Sequence, residues 1–220
     1  MSQVPISADV LIPRLRGVSH AFAFVLSIVA AIVVVVIAPA GRATVAAAIY
    51  GAGLIALFGG SAVYHRWPGP ERFKPILQRI DHSTIFFFIA ASYTPIALLV
   101  LHGPLVWVIL GMAWAGAAAG IGFSLGWIEA PRAVTAASYL ALGWVAVIAI
   151  PQLVGELGVP PLVLLGTGAG LYTAGAIIYA RRRPDPWPRT FGFHEIFHAL
   201  VIAAAAAHYI AVVGWVLPGS

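Results

Sequence analysis

The sequence predicts an all-α integral membrane protein with seven transmembrane helices, its N-terminus cytoplasmic and its C-terminus outside. Three observations carry that expectation. Of 220 residues, 61% are hydrophobic and 9% charged, and the mean hydropathy is +0.98; a water-soluble globule needs more polar surface than that. The apolar residues fall in seven runs near the roughly 20 residues that cross a bilayer as a helix, at about 20–38, 43–64, 82–101, 104–126, 133–151, 160–180 and 194–217. Finally, eleven of the twelve basic residues lie in alternate connections, on one side of the predicted membrane, and that excess marks the cytoplasmic face. The alternation of barrel strands is absent, and a helix satisfies its own backbone groups inside lipid.

Residues 1–17 read as a cytoplasmic N-terminal tail and residues 18–217 as one seven-helix transmembrane domain, with no polar stretch long enough for a separate soluble unit. Span one is flanked by Arg14 and Arg16 before it and Ala38-Pro39-Ala40 after it, as in a signal peptide. Its apolar core exceeds a usual signal core, which favours an uncleaved span. Span two ends at His65, and a basic connection with Pro68, Pro70 and Pro75 leads to Asp81 at the start of span three. A short outer loop with His102 precedes span four, and Arg132 precedes span five. Glycines at 116, 120, 166, 168 and 170 lie within spans four and six and suggest close helix packing. The arginine-rich connection from Arg181 to Arg189 then opens span seven at His194.

Arg14, Arg16, Arg66, Arg72, Lys74, Arg79, Arg132, Arg181, Arg182, Arg183 and Arg189 share one side, leaving Arg42 alone on the other. This pattern explains the net charge of +5 as a topology signal, so nucleic acid is not an expected partner; membrane lipids are. Oligomeric state has no signal in the sequence. The absence of cysteine excludes disulfides and thiolate metal sites, leaving His, Asp, Glu and water as ligands for a transition metal.

The same topology places His65, Asp81, His194 and His198 at one membrane depth on the cytoplasmic side, with His20 beside them. His194 and His198 are four residues apart and therefore on one helical face. Ser61 precedes His65 by four residues, about 6 Å deeper on the same face. Taken singly, each residue has an ordinary explanation: Asp81 capping its helix, Ser61 bonding a backbone carbonyl, the histidines lying in the headgroup layer. Ionisable groups are costly in a membrane segment, however, and three imidazoles with a carboxylate at one depth point to a metal. Zinc suits three imidazoles plus water or an oxygen ligand. A zinc-activated water attacking an ester or amide carbonyl would use Asp81 as base or water-holding group, with Ser61 beside it. His208, about 21 Å further along span seven than His194, is too far to join them. His82 points about 100° away from Asp81, and neither it nor His102 belongs to the expected site.

The run His194-Glu195-Ile196-Phe197-His198 formally matches the H-E-x-x-H zinc-protease signature, with Glu195 as general base. Only His208 follows it as a further histidine, so that reading lacks a third ligand within reach. The stronger likeness covers nearly the whole chain. Ser61-x-x-x-His65 closing span two, Ile80-Asp81-His82-Ser83 opening span three and Phe191-Gly192-Phe193-His194-Glu195-Ile196-Phe197-His198 opening span seven together resemble the hemolysin III family, the bacterial branch of the progestin and adipoQ receptor (adiponectin receptor-like) proteins. That resemblance implies a zinc site formed by His65, His194 and His198, with Asp81 near the metal through water and Ser61 beside it. It also implies kinship with seven-span hydrolases such as alkaline ceramidases, and residence in a bacterial plasma (inner) membrane. One departure concerns the first span, where the family's acidic residue and asparagine before the histidine are missing from Leu15-Arg16-Gly17-Val18-Ser19-His20. The function expected from these readings is zinc-dependent hydrolysis of a lipid amide or ester. The alternative is a membrane-active cytolysin or receptor-like protein with a structural zinc.

Overall fold

A computed structural model describes residues 13–219, so most of the expected 1–17 tail lies outside the described residues. Seven helices are long and apolar enough to cross a membrane: span one Val18–Ile37, span two Arg42–Arg66, span three Glu71–Leu99, span four Pro104–Gly126, span five Arg132–Glu156, span six Val159–Arg181 and span seven Phe193–Val216. Sequential spans pack as neighbours, one on two, two on three, three on four and six on seven, while span five leans chiefly on span six and span one also touches span seven. Spans two and three carry the densest buried faces, including Tyr50, Leu54, Phe58, Phe86 and Phe88. Close approach there depends on glycine. A Cβ on Gly53 would stand 2.6 Å from that of Ala91, and one on Gly120 would overlap the Phe86 ring. Because lipid offers no hydrophobic drive between helices, such contacts hold the bundle by dispersion and shape. Gly116 and Gly168 are used in the same way, whereas Gly166 and Gly170 meet nothing within 4 Å and so correct the packing role expected for them.

Two elements depart from the sequence-based expectation. The α-helix of span three begins at Lys74, with Pro75 in its first turn, after a 3-10 turn at Glu71–Phe73. Asp81 therefore sits two turns inside the helix and cannot cap its N-terminus. Span five is not one continuous α-helix: Arg132–Gly143 gives way to a 3-10 segment, Trp144–Ala149, before the short helix Ile150–Glu156. Pro151 has no N–H and its ring crowds the carbonyl four residues earlier, which tightens the preceding turn. Tyr93, from span three, occupies the break. Its hydroxyl donates to the carbonyls of Gly143 at 2.5 Å and Leu142 at 3.2 Å and accepts from the Ala146 N–H at 2.8 Å, supplying the partners that backbone groups need away from water.

Candidate metal centre

His65 stands in the last turn of span two, Asp81 two turns into span three, and His194 and His198 in the first two turns of span seven. All lie at the end of the bundle that carries the arginine-rich connections. Two carboxylates settle the start of span seven. Asp185 Oδ1 accepts the Phe193 N–H at 2.9 Å, and Glu195 Oε2 accepts the Gly192 N–H at 2.8 Å, satisfying donors that a helix N-terminus leaves free.

The structure brings the three expected imidazoles together. One ligand nitrogen from each of His65, His194 and His198 lies within 4.8 Å of the other two, a group that can hold a metal ion. The Nε2 atoms of His65 and His194 are 3.2 Å apart. Zinc with nitrogen ligands at 2.0–2.1 Å in tetrahedral array separates those nitrogens by about 3.3 Å, so this edge needs almost no adjustment. His198 Nδ1 is buried without a partner, as are both ring nitrogens of His20. Asp81 Oδ2 lies 3.9 Å from His65 Nε2, and Ser61, one turn deeper on span two than His65, lines the same cavity as Asp81. Both Ser61 and Asp81 are buried. The donor set therefore fits a zinc ion held by three imidazoles with a carboxylate alongside.

His20 is close but is not one of the three. Its ring stacks on that of His198, centroids 3.6 Å apart and planes within 8°, with Phe58 edge-on at 5.2 Å. His82 and His208 stand outside the ligand group, and His102 pairs with Glu156 at 3.5 Å at the opposite end of the bundle. Glu195 is also otherwise engaged. Its Oε1 receives Arg16 Nε at 2.6 Å, its Oε2 receives the Gly192 N–H, and its side chain is 3% exposed. Both of its oxygens are engaged in this tether and Glu195 does not line the cavity beside the histidines, so the geometry does not support the H-E-x-x-H base role.

The partner of that tether was missed in the sequence, where Arg16 served only as a topology marker. Residues 13–17 form a strap over this end of the bundle: the Arg14 N–H donates to Arg189 O at 3.0 Å and the Leu15 N–H to Thr190 O at 3.2 Å. The strap turns at Gly17, where φ is +74° and an added Cβ would overlap the Cβ of His65. Glycine serves there both for its left-handed conformation and for lack of bulk. Arg132 closes another flank, its guanidinium over the rings of Tyr179 at 5.6 Å and Phe193 at 5.5 Å.

Below the histidines lies a cavity of about 470 Å³, bounded at one end by Ser61, Asp81, His194 and His198 and further down by Leu162, Leu165 and His208. Its lining is overwhelmingly apolar. Between spans five and six the wall includes Trp144, Val147, Ile150 and Val154, which are also exposed on the outside of the bundle, so the cavity reaches the lipid-facing surface beside the 3-10 break. The Trp144 indole N–H bridges this gap to Thr173 Oγ1 at 3.2 Å. No run of sequence foretold that opening, because it depends on Tyr93 and Pro151 acting on one turn from different helices.

Comparison with known proteins agrees with this architecture. Residues 10–209 match the family model described as haemolysin-III related. The chain is 31% identical to "Hemolysin-3" of Bacillus cereus over 92% of its own length and 91% of the relative's. It is 31% identical to "Hemolysin-3 homolog" of Bacillus subtilis (strain 168), with 90% and 91% covered. A human protein, "Monocyte to macrophage differentiation factor", is 30% identical over 88% of this chain and 80% of its own. With seven membrane-spanning helices, the motifs of spans two, three and seven gathered at one end, and a family match over most of its length, the chain is an integral membrane protein belonging to the hemolysin III family.

Proposed function

We propose that this protein is a zinc-dependent hydrolase of a lipid amide or ester, seated in a bacterial plasma membrane with its metal centre on the cytoplasmic side. The observation that carries the proposal is the meeting of three imidazoles and a buried carboxylate with the mouth of an apolar cavity open to lipid. His65, His194 and His198 would hold the ion. When bound, zinc supplies a nucleophilic water at neutral pH and polarises a carbonyl. Asp81, 3.9 Å from His65 Nε2, would be the group that holds a proton beside the ion and returns it to the leaving amine or alcohol, with the Ser61 hydroxyl orienting its carboxylate. Apolar walls between spans five and six accept the chain of the lipid and exclude bulk water from its carbonyl.

The test is zinc content and lipid turnover by the full chain, purified with zinc and assayed on N-acyl and ester lipids. Asp81→Asn should keep the metal and lose at least a hundredfold in turnover, and His198→Ala should lose both. Equal turnover by wild type and Asp81→Asn would refute the assignment. A second reading, a membrane-active cytolysin with a structural zinc, is favoured by one distance. Asp81 Oδ2 at 3.9 Å from His65 Nε2 is near enough to become a fourth protein ligand, and structural zinc sites are closed in that way. X-ray absorption of the zinc-loaded protein separates the two. Three imidazoles with a water oxygen lost on adding a hydroxamate supports catalysis, and an unchanged four-ligand sphere supports the closed site.

A further inference from the structure

The distal part of the cavity holds a histidine whose hydrogen-bonding capacity is not spent. His208 lies ten residues beyond His198 on span seven, about 15 Å along the helix axis, and lines the same cavity. Its Nε2 is 3.2 Å from the Leu165 carbonyl. A carbonyl only accepts, so Nε2 carries the ring proton and Nδ1 is left with its lone pair. Among the described residues nothing pairs with that nitrogen. The ring is held in place by Gly168 of span six, where a Cβ would overlap the imidazole.

Three other polar groups along this part of the wall are already hydrogen-bonded. Thr173 Oγ1 donates to Ala169 O at 2.8 Å and accepts from Trp144, Ser92 Oγ donates to Ile89 O at 2.8 Å, and the Tyr93 hydroxyl serves the break in span five. The Tyr172 ring is edge-on to His208 at 5.5 Å, and its buried hydroxyl is likewise without a partner. An acceptor left without a partner in apolar surroundings carries a penalty that a donor on the occupant removes.

We propose that His208 recognises the occupant of the cavity by accepting, at Nδ1, a hydrogen bond from a hydroxyl carried part-way along a lipid chain whose polar head lies at the histidine cluster. The ligand class is thus a hydroxylated long-chain lipid. This rests on the reading that the cavity takes a lipid chain, and it adds a specificity element remote from the metal.

The experiment compares binding of ricinoleate, which carries a hydroxyl on its twelfth carbon, with that of oleate, which lacks it, to the zinc-loaded full chain in nanodiscs by competition calorimetry. Wild type should prefer ricinoleate by about tenfold, the worth of one buried hydrogen bond. His208→Phe, which keeps a ring and removes the acceptor, should bind both alike while retaining its oleate affinity, which also reports that it is folded. Gly168→Ala, which displaces the imidazole without removing it, should lose the preference too. Equal affinities in wild type with oleate clearly bound would overturn the role of His208 and leave the lipid cavity standing. A preference that survives in His208→Phe would overturn it as well. Failure of wild type to bind either fatty acid would remove the lipid-cavity reading itself, and this inference with it.

Discussion

Glu195 offers the sharpest separation between a tether and a catalytic base. Its side chain is 3% exposed, with Oε1 on Arg16 Nε at 2.6 Å and Oε2 on the Gly192 N–H at 2.8 Å. In Glu195→Gln one of these bonds meets an amide N–H instead of an oxygen and the other loses its charge, a cost of about 2–3 kcal/mol. Arg16→Met leaves a buried carboxylate without a partner, which costs about 3–5 kcal/mol. Because the Arg16 side chain is 22% exposed, water reaches part of the pair and the lower end applies. For a chain of this size about 3 kcal/mol lowers Tm by on the order of 10 °C. The double variant should fall short of the sum, since the two groups act on one another. The assay is thermal unfolding of the zinc-loaded full chain in one detergent, with zinc content and lipid turnover measured well below the lowest Tm. All three variants should retain metal and turnover there. Loss of turnover in Glu195→Gln by a thousandfold or more, with Tm and zinc unchanged, would refute the tether and restore Glu195 as a base.

Three further outcomes follow from the geometry. Gly17→Ala forces a side chain into φ +74° and against the Cβ of His65, so it should destabilise by about 1–3 kcal/mol and weaken zinc retention in equilibrium dialysis; unchanged zinc affinity would uncouple the strap from the site. Tyr93→Phe removes the partner of Leu142 O, Gly143 O and the Ala146 N–H. It should cost about 2 kcal/mol and speed hydrogen exchange at Ala146, and wild-type exchange there would mean the 3-10 segment stands unaided. For topology, a cytoplasm-active reporter should work when fused to the N-terminus and fail at the C-terminus, because eleven of twelve basic residues lie on one side; activity at the C-terminus would reverse or break the seven-span order.

The sequence was most legible where the physics is local and additive. Span number follows from hydropathy summed over a bilayer's length, and the gathering of His65, Asp81, His194 and His198 at one end follows from strict alternation of the spans. The helical start at Lys74 was hidden for a related reason. Hydropathy reports contact with lipid rather than helix, and Lys74 and Arg79 continue the helix beyond the apolar run. Glu195 was ambiguous because its partner Arg16 is 179 residues away.

By itself, then, the chain determined a seven-span membrane protein and which ionisable residues share an end, since both depend on the order of apolar and charged residues along one dimension. Only the tertiary structure decided which of them meet. The 3.2 Å between two imidazoles, the capture of Glu195 by the strap, the parallel stack of His20 on His198 and the cavity beside the break in span five all depend on how helices distant in sequence pack against one another. Packing is a property of side-chain shape in three dimensions, and a count of residues between motifs does not contain it.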